Sequence, residues 1–195
     1  MKKILLLTPF AAFALSACFS FGAKPPAQLM RLTPASTLSA ENSVRTGAAG
    51  QAVTVFVPSV PQELATLRVP VRSGATQVAY LKDAQWVEMP NALFARVLSE
   101  TIASTTGRMV LDARQAVFDP GTRLTGQLQS FGVDGDTMEA VAVFDAALAR
   151  GEDKVETRRF EARVPVGTAS SATVGPALNQ AANQIAADVA KWIGN

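Results

Sequence analysis

Apolar and polar positions change their period several times along this chain, and each change marks an element. In Val53-Thr54-Val55-Phe56-Val57 three valines alternate and share one face, and Pro58 and Pro61 end the run. Arg68 to Arg72, a glycine-bearing loop at Ser73-Gly74-Ala75, and Thr76 to Tyr80 read as a hairpin. Pro70 inside it predicts an edge or irregular strand. From Pro90 the period becomes helical. Leu93, Phe94, Val97, Leu98 and Ile102 fall on one stripe, with Pro90 in the first turn and Gly107 closing the helix. Met109-Val110-Leu111 is a short strand. Alternation returns over Thr122–Val133, Met138–Ala149 and Lys154–Val166, separated by Asp134-Gly135-Asp136 and Gly151-Glu152-Asp153. These three runs predict an antiparallel meander wetted on one face. Last comes a long apolar stripe, Val174, Leu178, Ala182, Ile185, Val189 and Ile193, at helical spacing. Ser170, Ser171 and Thr173 are its N-cap candidates. Strands in runs with two amphipathic helices predict an α+β fold, a mixed, mainly antiparallel sheet with both helices packed on one face.

The first fifty residues follow no such pattern. Lys2-Lys3 precede an apolar run from Ile4 to Leu15, followed by Ser16, Ala17 and Cys18, the sole cysteine. This is the layout of an export signal. Twelve apolar residues reach about 18 Å as a helix, short of the ~30 Å hydrocarbon core. Leu15-Ser16-Ala17-Cys18 resembles the bacterial lipobox at every position. That resemblance implies cleavage before Cys18 and acylation of its sulfur and amine. Several acyl chains on one residue hold a soluble domain on a membrane stably, which a single chain does not. A lone cysteine has no disulfide partner to need. In the sorting pattern of enteric-type lipoproteins Asp after the cysteine favours the inner membrane, and Phe19 points instead to the outer membrane, facing the periplasm. Residues 1–17 are thus the expected signal peptide, 18–50 an acylated tether rich in Pro, Ser, Thr and Gly, and 51–195 the domain. Within the tether, Leu29-Met30-Arg31-Leu32 alternates as a further edge strand would.

Losing the signal changes the charge. The whole chain has 18 Lys+Arg and 16 Asp+Glu, and removal of Lys2 and Lys3 leaves 16 of each. No run of like charges offers a footprint for nucleic acid. The chain is 48% apolar, enough for a core without disulfides. It contains no histidine, so neither a Ser-His-Asp nor a Cys-His arrangement can form. No Walker A loop or Gly-x-Gly fingerprint occurs, and no cofactor is expected. Asp134/Asp136 and Glu152/Asp153 fall in hairpin turns, where Asp bonds its own backbone. Asp112, Arg114 and Asp119-Pro120 read as surface charges and a turn. Of Arg158 and Arg159, alternation turns one to solvent. Tyr80 and Trp86 flank the polar stretch Lys82-Asp83-Ala84-Gln85, read as a connection into the first helix. Such rings suit either a partner surface or packing beneath the loop. Trp192 is placed at the end of the last helix.

The ordered set of motifs carries a resemblance. After the lipobox come Val53 to Pro58 as V-x-V-x-V-P, then Leu67-Arg68-Val69-Pro70-Val71-Arg72, the strand with Tyr80, W-V-E-x-P at Trp86 to Pro90, Leu93-Phe94-x-x-Val97-Leu98, and Trp192-Ile193. Over residues 28–193 the chain resembles the ABC-type transport auxiliary lipoprotein family, the PqiC-like proteins. One departure lies before the hairpin, where the family commonly reads R-P-x-[IV]-V-x-R. The resemblance implies a non-enzymatic domain serving lipid transport between bacterial membranes, with an MCE-domain protein and an inner-membrane ABC permease and ATPase as partners. It also implies self-assembly into a homo-oligomeric ring. On this reading Cys18 is the lipidation site, and Arg68, Arg72, Tyr80 and Trp86 are the candidate partner contacts.

Overall fold

A computed structural model of the protein describes residues 28–38, 47–116, 121–151 and 154–194. Its order is β1 (Val53–Val55), β2 (Arg68–Ser73), β3 (Gln77–Gln85), α1 (Pro90–Thr106), β4 (Val110–Asp112), β5 (Thr122–Asp134), β6 (Glu139–Arg150), β7 (Lys154–Pro165) and α2 (Ser171–Gly194). All seven strands join one sheet, and the α+β expectation is met. The 13-residue strand β5 organises it. One edge of β5 pairs with β6, which pairs with β7, and this is the antiparallel meander. The other edge takes two short parallel partners, β1 at Thr122–Leu124 and β2 at Val133 and Asp134. β4 extends β1 in parallel, and β3 extends β2 as the hairpin.

The hairpin departs from expectation in two ways. β3 runs on through Gln85, so the stretch Lys82–Gln85 is strand rather than connection. β2 lies between β3 and β5, so of the two readings of Pro70 the irregular strand holds and the edge strand does not. β2 tolerates Pro70 because the β2–β3 register slips between Arg68 and Pro70. Gly132 makes room on the other side: a Cβ there would stand 2.4 Å from the Pro70 carbonyl oxygen. Strand β5 also switches face. Leu124 and Leu128 point to the core, an extra residue is inserted between Leu128 and Ser130, and Phe131 and Val133 then point the same way. β6 keeps strict alternation, with Ala140, Ala142, Phe144, Ala146 and Leu148 inward.

Both helices cover that inward face. Leu93, Phe94, Val97, Leu98 and Ile102 of α1 are each at most 1% exposed. The helix ends on Gly107 in the left-handed region, which glycine adopts without a Cβ penalty. α2 buries Ala177, Ala181, Ala182, Ala186 and Ala190 beside its larger residues. These small side chains let it approach the alanines of β6 and the flank of α1. An aromatic chain fills the centre. Trp86 stacks on Phe131 at 5.5 Å, Phe94 lies 6.3 Å from Phe131, and Phe144 meets Phe94 edge-on at 5.2 Å.

Part of the expected tether is docked. Met30 bridges Trp86 in parallel, its N–H donating to the Gln85 carbonyl and its carbonyl accepting from Val87. Leu32 is buried. The Thr33 and Ala35 amides donate to the side-chain oxygens of Asn179 and Asn183, at 2.7 and 2.6 Å. Ser104 on α1 bonds the Ser36 carbonyl. Residues 29–36 therefore form a strap along α2 and not free chain. The alternation at Leu29–Leu32 was the visible part of it. Cys18 lies outside the described residues.

Candidate functional site

The four candidate contacts do not share one environment. Arg68 and Tyr80 face each other across the hairpin, the Arg68 guanidinium 4.6 Å from the ring centre. The Tyr80 hydroxyl donates to the Glu63 carbonyl at 3.2 Å. Arg72 donates to the Glu63 carboxylate, to Ser130 Oγ at 2.6 Å and to the Gln129 carbonyl at 3.3 Å. Arg68, Tyr80 and Arg72 thus gather around the short turn Gln62–Leu64, which Leu64 pins by full burial. Trp86 does not join them at the surface. It is 1% exposed and takes the packing role of the two left open above. Its amide donates to the Leu67 carbonyl at 2.7 Å. An aromatic residue after a polar stretch looks exposed until that stretch proves to be a strand with one inward face.

Arg72 also lines a cleft of about 410 Å³ on the sheet face opposite the helices. Val141, Val143, Ser130 and Gly132 contribute to its floor, with Pro70, Arg72 and Glu63 on the β2 side and Arg159, Glu161 and Arg163 on the β7 side. Alternation along β6 and β7 places Val141, Val143, Arg159, Glu161 and Arg163 on this one face. Arg159 holds Asp145 through two bonds of 2.6 Å, and Gln129 adds a third at 3.0 Å. The bond from Arg159 holds the Asp145 carboxyl below its usual range, helped by Gln129. Arg163 reaches Glu161 at 2.6 Å, Glu139 at 3.3 Å and Asp134 at 3.7 Å. Its guanidinium is held above its usual value, chiefly by the bond to Glu161. Asp134 is kept low mainly by the Thr137 amide, with the Asp136 amide assisting. That is the turn role expected of it. Asp136 ties the two hairpins together by accepting from Gly74 N–H at 2.7 Å and Ser73 Oγ at 3.1 Å.

Arg72, Arg159 and Arg163, the arginines lining this cleft, each have a carboxylate partner, so the cleft carries matched charge over a floor that includes Val141 and Val143. It suits recognition by shape and paired charge better than capture of a bare phosphate. The sequence turns one of Arg158 and Arg159 to solvent without choosing between them, and both are exposed. The strand alternation was the signal, but nothing in it showed that Asp145 and Gln129 lie opposite Arg159. The remaining turn assignments hold where described. Asp112 accepts from the Arg114 and Gln115 amides, and Trp192 packs on Phe160 at 5.6 Å. Glu152, Asp153, Asp119 and Pro120 lie outside the described residues. Among the described residues no His/Cys/Asp/Glu group is placed to hold a metal ion, and no helix is long and apolar enough to cross a membrane.

A family model described as "ABC-type transport auxiliary lipoprotein component" matches residues 32–190. No curated protein matches the chain by sequence. Among solved structures, protein XCC0632 from Xanthomonas campestris, of the DUF330 family model, superposes with a TM-score of 0.69 at 18% identity, covering 85% of this chain and 94% of that one. Another, described as an uncharacterized protein, superposes with a TM-score of 0.66 at 15% identity, covering 85% and 99%. At these identities the likeness speaks to the fold alone.

Proposed function

The chain belongs to the ABC-type transport auxiliary lipoprotein family, and from that premise we propose that it is a lipid-anchored docking component of an MCE-type ABC system moving lipid between bacterial membranes. The family is one of transport components, not of enzymes. Leu15-Ser16-Ala17-Cys18, set ahead of the family-matched domain, is the observation that carries the reading. Acyl chains on Cys18 hold the domain at the outer membrane, on the periplasmic side favoured by Phe19. The Arg68–Tyr80 hairpin and the cleft beside Arg72 offer a partner a rigid, charge-matched surface. The cleft's lining of ion pairs supports a docking role over a carrier that would have to enclose acyl chains.

Two experiments test this. In a strain lacking the protein, wild type should restore the outer-membrane barrier and Cys18→Ala should not; full restoration by Cys18→Ala would sink the tethering role. Affinity capture from crosslinked membranes should recover an MCE-domain protein. Recovery of a secretin or another β-barrel in its place would assign the chain to a different outer-membrane machine.

A further inference from the structure

Resting on the reading that Cys18 is acylated, we infer that the domain sits on the lipid surface by one particular end, the end bearing the N-termini of both helices, and that the strap Leu29–Ser36 holds it there. Three observations converge. The first is where the chain enters. Met30 lies against α2 near its start, its Sδ 3.2 Å from where a Cβ on Gly175 would stand. Thr33 then meets Asn179 and Ala35 meets Asn183. The strap therefore runs with α2, from the helix start towards its end. α1 lies the same way round, because Thr105 and Thr106 line a common cleft with Ile193 and Gly194. Both helix N-termini are thus at the entry end and both C-termini at the far end.

The second observation is length. From Cys18 to Gln28 the chain spans at most about 35 Å when fully extended. From Gly175 to Gly194 α2 runs about 29 Å away from the entry point. To bring the far end to the bilayer, the linker would have to fold back along the whole domain, nearly taut. The entry end reaches the bilayer with most of that length to spare.

The third is what the entry end shows to solvent. At the Met30–Trp86 bridge the two bridged side chains turn towards the core. Alternation turns their neighbours outward, and Leu29 and Val87 are each 51% exposed. An apolar pair, fixed by backbone bonds beside the point where the anchor arrives, fits the interfacial zone of a bilayer. At the far end Thr105 and Lys191 are exposed, together with one large apolar side chain, Val155, which is 64% exposed on β7 opposite Ala149, beside the Arg150 that donates to the Ile193 carbonyl.

The test uses the full acylated protein in vesicles of phosphatidylethanolamine and phosphatidylglycerol that carry a quencher on the lipid. Single cysteines replace Leu29, Val87, Thr105 or Lys191 and are labelled with an environment-sensitive fluorophore; acylated Cys18 does not react. Lipid quenching should be several-fold stronger at Leu29→Cys and Val87→Cys than at Thr105→Cys and Lys191→Cys. Asn179→Ala with Asn183→Ala should shrink that difference while the protein still floats with the vesicles. Flotation with equal quenching at both ends overturns this inference and leaves the anchor reading standing. A quenching difference that survives the double substitution overturns the role given to the strap. An unmodified Cys18 and loss of flotation overturn both.

Discussion

The two faces of the sheet are built on opposite principles. Towards the helices, Leu124, Leu128, Phe131, Ala142, Phe144 and Leu148 pack against α1 and α2 with almost no exposure. Away from them, the same strands present Arg159, Glu161, Arg163, Asp145 and Gln129 in a lattice of ion pairs and hydrogen bonds. The first face holds its energy in area removed from water, at roughly 25 cal/mol per Å². The second holds little, since exposed pairs are each worth at most about 1 kcal/mol. The inner face therefore fixes the fold, and the outer face is free to specify a partner. The proposed docking role needs that division of labour.

Breaking the inner face should have the largest effect. Phe144→Ala removes the ring that meets Phe94 and should cost about 3–5 kcal/mol in denaturant unfolding. A loss below ~1 kcal/mol would show that the aromatic chain is not the centre of the core. Next comes Gly132→Ala, whose new methyl meets the Pro70 backbone and must push β2 from β5. It should destabilise by about 1–3 kcal/mol, and hydrogen exchange should rise first in β2 and β3. Asn179→Ala with Asn183→Ala should cost about 1 kcal/mol per lost bond. Its mark is faster amide exchange at Thr33 and Ala35 while α1 and β6 keep their protection.

On the outer face effects shrink. Arg159→Ala should change stability by less than about 1 kcal/mol, and the change should fade in high salt. A large, salt-independent loss would mean this lattice is structural after all. Acid probes the same face. The Asp134 and Asp145 carboxyls lie below their usual range in the folded protein. The stability they add is present above the unfolded carboxylate pKa, near 4, and is lost as pH falls through their depressed folded values. Urea midpoints should therefore be flat from pH 7 to about 5 and decline below about 4. Asp145→Asn should lessen that decline.

Legibility divides along the same line. The helix stripes at Leu93–Ile102 and Val174–Ile193 were readable because burial imposes a period on the sequence. The three long strands and their turns were readable for the same reason, and so was the mixed, mainly antiparallel sheet. The parallel pairings were not. β1 and β4 are three residues each, and nothing local says which neighbour they take. Trp86 was ambiguous because Lys82 and Asp83 face outward on a strand whose Leu81 and Ala84 face inward. The Arg72–Glu63 contact spans nine residues of irregular chain and has no periodic signature. The Asp145–Arg159 pair depends on cross-strand register, which alternation narrows to a face but not to a partner.

The proposed anchor turns on the covalent state of Cys18. Intact-mass spectrometry of the protein extracted from native membranes should find a chain beginning at Cys18, heavier than its peptide by several acyl groups. A free thiol there, or a leader still attached, would contradict it.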